Sequence, residues 1–568
     1  MASYKVTDFE SGLNGAYIVW NGTCQLADNP VKTDNPSTKA LQVNSADNCP
    51  VGFPLTLPQG KKLTDYESVK FQVLILSQST NINWIGFNVG TAQNNNSNNE
   101  CDPEGGQGPA WETGVYNKWI TVRLYFDETK LKANLESYTT GNLNLIVKLG
   151  RKEFYYLIDN IELEEKYTPV PVPECEMPFG VNLSGAEFGG VYPGEDGTHY
   201  GYPTYKDLNY FNAKGLNLIR FPFCWERVQY TMGGDLVSAE IAKMKTFVDA
   251  VEEREMKVIL DLHNFGRYSF DGGTTQTVVG SSQSLTKEHL GNLWARLAKE
   301  FKDYTCIWGY DIMNEPYSMD ASNPWQTIAQ AVIDSIRKYD TVTPIIVSGN
   351  EFSSSLHWQE YSDGLRNLVD PSDNLIFQAH LYLDKDCSGS YAKSYDEEGV
   401  TAQTGVERAT PFVSWLKKYN LRGIMGEYGV PDNDTRYLTA LENLVSYLKQ
   451  NGVAGTYWSA GPRWGTYPLS VQPTDNYSKD RPQMSVLEKY TCADITTDAD
   501  AIVSETESAI IWAKAGILAV KALKDTALTI NTLSGTGILN QNIAAGELIS
   551  VALPKGTYIV CKTKISVE

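Results

Sequence analysis

The sequence predicts a multidomain protein centred on a (β/α)8 barrel, with all-β modules at both ends, and three observations carry this. At 568 residues the chain exceeds what one hydrophobic core organises. Between 175 and 493, short apolar strands alternate with helix-period segments such as Ser238–Glu255 and Thr286–Phe301, so successive strands are parallel. Polar side chains recur where those strands end, which is where a barrel carries its chemistry. A doubly wound sheet is the competitor, disfavoured because no Gly-rich phosphate loop follows the first strand.

Composition bounds the function. The formal net charge is −20, which argues against nucleic acid and anionic membranes and for a soluble protein meeting a neutral or cationic ligand. No apolar run is long enough to span a bilayer. The 13 Trp and 33 Tyr include the flat rings that stack on sugars. Nine cysteines lack CxxC spacing, which excludes a zinc ribbon; Cys24 with Cys49, or Cys175 with Cys492, are candidate disulfides in an oxidising compartment. The chain enters strand-like alternation directly after Met1, so any export signal is expected to be missing from it.

Residues 1–168 alternate strand-like runs, among them Val69–Leu76, Trp119–Phe126 and Phe154–Leu163, with turn-rich loops, as in a β-sandwich. The Asn-rich tract at 91–100 cannot build a core and reads as a surface loop. Trp20, Trp84, Trp111 and Trp119 are candidate sugar platforms, with core packing the commoner role. Asp8-Phe9-Glu10 and Leu157–Ile161 resemble the first and last strands of jelly-roll carbohydrate-binding modules. That resemblance implies a structural calcium held through Glu10 and Asp159. A Pro-rich linker, 169–174, ends this region.

Eight strands are expected in 175–493: Phe179–Ser184, Leu216–Phe223, Lys257–His263, Ile307–Asn314, Pro344–Ser348, Leu375–Tyr382, Arg422–Glu427 and Gly455–Ser459. Their ends supply Arg220, His263, Asn314, Glu315, His380, Tyr382, Glu427 and Trp458. Pro316 cannot continue a ladder, so Glu315 sits at a strand tip, and Glu427 repeats that arrangement between Gly426 and Gly429. Two strand-end glutamates on one barrel suggest a glycosidase pair. No HExxH, nucleotide or flavin fingerprint is present.

The stretches LDLHNFGRY, IMNEP, LIFQAHLYLDKDCSG, GEYG and YWSAG together resemble glycoside hydrolase family 5, in particular its subfamily 5 endo-β-1,4-glucanases. Gln378-Ala379 before His380, and Tyr268 where Trp is frequent, depart from that pattern. The resemblance implies carboxylates about 5–5.5 Å apart and retention of configuration. It makes Glu315 the acid/base and Glu427 the nucleophile, with Arg220 and Tyr382 donating to Glu427. Asn314 would bind the sugar 2-hydroxyl, and His263 and His380 would hold the sugar and the acid/base. Trp458 would stack beneath that sugar, with Trp225, Tyr268, Trp358 and Trp464 as candidates for neighbouring subsites; Trp294 and Trp308 are expected in the core.

Residues 494–568 read as a small β-sandwich, in which Ser504–Ala515 is alternatively a short helix. The ending SVALPKGTYIVCKTK resembles the immunoglobulin-like sorting domains of type IX secretion. The expectation is a secreted or cell-surface monomer, a retaining endo-β-1,4-glucanase (cellulase) that takes cellulose or mixed-linkage β-glucan and needs no catalytic cofactor. A mannanase or xyloglucanase is the alternative on the same barrel. A surface glycan-binding protein without catalysis is the rival from another class.

Overall fold

The computed structural model describes residues 177–491 without a gap, most of 3–79, then 85–90, 116–126, 143–149, 152–170, residue 175 and the strands between 504 and 567. Residues 1–490 form one compact unit and residues 491–568 a second.

The barrel closes from eight strands: β1 (Phe179–Leu183), β2 (Leu218–Phe223), β3 (Lys257–Leu262), β4 (Ile307–Asp311), β5 (Ile345–Ser348), β6 (Leu375–Tyr382), β7 (Gly423–Gly429) and β8 (Ala454–Ala460). All neighbours are parallel, and nearly every residue of these strands is buried, which accounts for their continuous apolar character. Strand β4 ends at Asp311, three residues short of the expected Asn314. Beyond it the chain still bonds its neighbours, Ile312 N–H to the Ile346 carbonyl and Asn314 N–H to the Leu262 carbonyl. The pairing has only lost its regular register.

Helices α1 (Tyr205–Ala213), α2 (Trp225–Val228), α3 (Ser238–Glu252), α4 (Lys287–Phe301), α5 (Trp325–Ile336), α6 (Thr404–Tyr419) and α7 (Arg436–Gln450) are among those that cover the strands. In α4 the buried positions Leu290, Leu293, Trp294, Leu297 and Phe301 follow helical spacing and make one apolar stripe. Helix α3 stops before the expected Glu255, which takes a left-handed φ of 55°. No helix among the described residues is long and apolar enough to cross a membrane.

The barrel interior is layered. Leu218, Ile259, Ile346, Ile376, Ile424 and Ala454 pack as one apolar cluster. Asn182, Arg220, Asp261, Asp311, Gln378 and Thr456 are fully buried polar residues on the same strands. The β6/β7 register shifts between Ala379 and His380, which brings His380 opposite Glu427. Gly426 lies at the shift, where an added Cβ would stand 2.3 Å from Gln378 Oε1. Gln378, one of the departures from the family pattern, fills the space a side chain at 426 would need.

The N-terminal region is two antiparallel sheets. One joins Gly22–Asp28, Lys39–Asp47, Lys152–Glu165, Tyr66–Ile75 and Trp119–Tyr125, with Ser3–Thr7 also on Lys152–Glu165. The other joins Tyr17–Ile18, Pro50–Leu55, Leu143–Leu149 and Ile85–Gly90. It docks on the barrel: Arg123 is paired with Glu164 and donates to the Asn476 carbonyl at 3.2 Å, and Asn476 returns a bond to the Arg123 carbonyl. Trp119 is buried with its N–H on Asn29 and Val31, so it serves the core; Trp20, Trp84, Trp111 and 91–100 lie outside the described residues.

The calcium expectation does not fit. Glu10 accepts hydrogen bonds from Thr38 and Lys39, Asp159 accepts from Asn35 and Asn160, and the acidic neighbour of Asp159 is Asp8. Each carboxylate is engaged by N–H or O–H donors, and neither belongs to a cluster of three or more metal-type side chains among the described residues. Cys24 is a free thiol, so it is not bridged to Cys49, whereas Cys175 is in a disulfide whose partner lies outside the described residues. In the second unit Ser504–Glu505 and Ala509–Lys514 are strands, not a helix, and two four-stranded sheets result.

The fit at Gly426 is tight enough to test. Gly426→Ala is expected to lose roughly 1–3 kcal/mol by urea unfolding, as overpacked sites do. Adding Gln378→Ala should recover part of that loss, and equal stability of all variants would contradict the packing.

Candidate active site

Arg220 organises the carboxyl ends of the strands. Fully buried on β2, it donates through Nε to Asp311 at 3.0 Å, through Nη1 to Asn182 at 2.8 Å and Glu427 at 2.9 Å, and through Nη2 to Asn314 at 2.7 Å. Nη2 also stands 3.0 Å from Asp261. Burial works against its charge, but Asp261, Asp311 and Glu427 outweigh burial and hold the guanidinium protonated. In return, burial pushes Asp261 up to about 7 and raises Asp311, both against the pull of Arg220.

The two glutamates meet above Arg220. Glu427 Oε1 takes the Arg220 bond, and Oε2 takes the Tyr382 hydroxyl at 2.7 Å. Glu315, with a left-handed φ of 43° just before Pro316, places Oε1 2.6 Å from His380 Nδ1. One ligand-type atom from each of Glu315, His380 and Glu427 falls within 4.8 Å of the others. Burial pushes Glu315 up to about 7, against the pull of His263 and Arg220, and pushes His380 down to about 4. The trio is the sole cluster of three or more metal-type ligands among the described residues. Arg220 already supplies its positive charge, which disfavours a second cation there.

His263 binds Asp261 through Nδ1 at 2.7 Å and faces Asn314 Nδ2 at 3.4 Å through Nε2. Its ring stacks on Trp458 at 5.4 Å and 11°, and Trp458 meets Trp464 edge-on at 5.7 Å. These rings line a groove of about 530 Å³ with Glu187, Phe188, Tyr192, Arg267, Tyr317 and Phe352.

Three expected subsite aromatics are elsewhere. Trp225 is fully buried with its indole N–H on Gln229, Tyr268 packs edge-on against Trp225 at 5.4 Å, and Trp358 is fully buried against Phe412 and Trp415. Sequence reasoning missed Tyr317, Phe352 and Glu187. Tyr317 carries Arg267 3.5 Å above its ring and stacks on Phe352 at 4.2 Å, and Phe352 is 48% exposed. All three lie within four residues of a strand end or of Pro316, a positional signal that they share with the buried Trp225.

The family model described as cellulase, glycosyl hydrolase family 5, matches residues 177–463. Endo-beta-1,4-glucanase B of Aspergillus niger is 32% identical over 316 residues, 55% of this chain and 89% of that protein. The structure of Pseudomonas stutzeri endoglucanase Cel5A is 41% identical, covers 58% of this chain and 98% of its own, and has a TM-score of 0.52. An endo-beta-1,4-glucanase structure from Xanthomonas axonopodis pv. citri is 34% identical over 56% of this chain and 99% of its own, with a TM-score of 0.51.

Raised carboxyl pKa values carry a stability signature. Glu315 rises from 4.5 and Asp261 from 3.8, both to about 7, so the folded protein keeps protons that the unfolded chain releases. Their stabilisation is complete below the lower values and is lost as pH rises towards 7. Glu315→Gln is therefore expected to lose less stability than wild type between pH 5 and pH 8. At pH 8 it should exceed wild type by on the order of 1–2 kcal/mol by denaturant unfolding, discounted for its partly exposed edge.

Proposed function

The chain belongs to the cellulase family, glycosyl hydrolase family 5, and we propose that it is an endo-β-1,4-glucanase that cleaves internal bonds of cellulose or mixed-linkage β-glucan with retention. The observation that carries this is a pair of glutamates with carboxyl oxygens within 4.8 Å and opposite surroundings. That separation suits direct attack on the anomeric carbon and leaves no room for a water between carboxylate and sugar, as inversion needs.

Glu427, with a guanidinium and a phenol donating to it, is the ionised nucleophile. Glu315, held to about 7 by burial, keeps the proton that the leaving oxygen needs. Glu427 displaces the leaving oxygen as Glu315 protonates it, giving a glycosyl ester on Glu427. Glu315, left as a carboxylate by the first step, takes a proton from the incoming water as the water oxygen bonds the anomeric carbon; the bond to Glu427 breaks, which releases the sugar and restores both glutamates. His380, kept neutral by burial, orients the Glu315 carboxyl. Asn314, fixed by Arg220, is aimed at the 2-hydroxyl, and the exposed face of Trp458 carries the sugar. The reaction itself needs no cofactor.

The similar proteins carry endoglucanase names, which favours glucan over mannan or xyloglucan. A polymer this large stays outside the cell, so export is part of the proposal, and the Cys175 disulfide accords with an oxidising compartment. The docked N-terminal sandwich is assigned the accessory role that its resemblance to carbohydrate-binding modules suggests. The C-terminal module is assigned sorting during export.

A rapid viscosity drop with new reducing ends is expected on carboxymethylcellulose and barley β-glucan, well ahead of xyloglucan and glucomannan. Hydrolysis of none of the four would overturn the reading. Glu427→Gln and Glu315→Gln should each lower kcat by roughly a thousandfold with the fold retained by circular dichroism. Wild-type kcat should decline as pH rises through about 7, where Glu315 deprotonates. The first anomer seen by NMR should be β.

A further inference from the structure

Resting on the glucanase reading, we propose that Glu187 is a specificity-determining residue that takes the hydroxyls of an undecorated neutral hexose beyond the sugar on Trp458, and that Arg227 positions it. Glu187 lies just past β1 and lines the groove with His263, Trp458, Trp464 and its neighbour Phe188. Phe188 meets Trp464 edge-on at 4.7 Å, so the carboxyl stands beside an aromatic wall continuous with Trp458. A flat ring beside a carboxylate is how a protein holds a pyranose, with its C–H face stacked and its equatorial hydroxyls donating.

The carboxyl is fixed without being used up. Gly185 N–H donates to Oε2 at 2.7 Å, the Glu187 N–H and the Ser184 hydroxyl also approach the carboxyl, and burial raises it against the pull of the His263 imidazole. A carboxylate offers about four acceptor sites, so capacity for sugar hydroxyls remains. Gly185 is obligatory here: its φ is +151° and a Cβ would stand 2.3 Å from the Gly201 carbonyl.

The backbone around Glu187 is held with unusual thoroughness for a loop. Arg227, 2% exposed on α2, donates to the Ala186 and Phe188 carbonyls and to the Pro193 carbonyl at 2.9 Å. Its guanidinium also lies 4.1 Å from the Tyr200 ring centroid. The Cys224 thiol donates to the carbonyl of Glu187 itself at 3.2 Å. Three consecutive carbonyls are thereby gathered by one short helix and its cap, a charged side chain being spent on a loop that touches neither catalytic glutamate. Such support makes sense where the loop must present a group to the substrate at a fixed position.

The test is KM and kcat of the full-length enzyme on cello-oligosaccharides of increasing length. Glu187→Ala should raise KM for cellohexaose roughly tenfold or more, the worth of a charge-assisted hydrogen bond, with kcat changing far less. The penalty should shrink for the shortest oligomer cleaved, which a merely structural defect would not produce. Glu187→Gln keeps the volume and the Gly185 bond; it should show a smaller rise, and it carries the test if the alanine variant does not fold. Arg227→Met should reproduce the KM rise, and combining it with Glu187→Ala should add little. An unchanged KM in both Glu187 variants of an active enzyme would overturn this role alone. A wild-type protein that cleaves no glucan would instead overturn the glucanase reading and this role with it.

Discussion

The buried guanidinium of Arg220 is the constraint on which the barrel's upper half depends. A cation with no exposure is expensive unless its charge is matched and its donors are satisfied. Here Asp261, Asp311 and Glu427 match it, while Asn182 and Asn314 take further bonds. Three carboxyls around one cation leave an excess of negative charge, and burial raises Asp261 and Asp311 against the pull of Arg220. Gln378 belongs to the same network, donating to Asp311 at 2.7 Å and Ser348 at 2.8 Å. The apolar cluster of Leu218, Ile259, Ile346, Ile376, Ile424 and Ala454 gives this network a rigid support.

From that layer the two glutamates acquire different characters. Both are carboxyls on neighbouring parts of one barrel, yet one receives a guanidinium and a phenol and the other receives a neutral imidazole. In the proposed mechanism, donors to the anion suit Glu427 to attack, and burial without such donors suits Glu315 to carry a proton near neutrality. Environment, not residue type, assigns the roles. Burial also keeps His380 neutral, which suits the proposed acid role of Glu315, since a charged imidazole beside it would favour loss of its proton.

Much of this was legible beforehand, and the reasons are local. Strand identity followed from unbroken apolar runs, and Pro316, which cannot donate to a ladder, bounded β4 from beyond, the regular strand ending earlier at Asp311. Glu315, Glu427, Arg220, Asn314, His380 and Tyr382 all sat at or near strand ends, where the barrel gathers side chains, and the structure brings these six together. The aromatics were harder, since Trp225, Tyr268 and Trp358 have the same composition signal as Trp458 and differ only in which way their loops turn. Glu10 and Asp159 were hard for the same reason: a carboxylate's ligand is set by what faces it, and here hydrogen-bond donors do.

The sequence by itself determined the barrel, its strand order and the residue types at the catalytic end, because periodicity and ladder chemistry act over a few residues. Tertiary structure alone decided that a register shift at Gly426 sets Glu427 opposite His380, that Asp261 and Asp311 share Arg220, and that Glu187 reaches the groove. Those outcomes depend on contacts between segments 40 to 240 residues apart, and on burial, which has no local code.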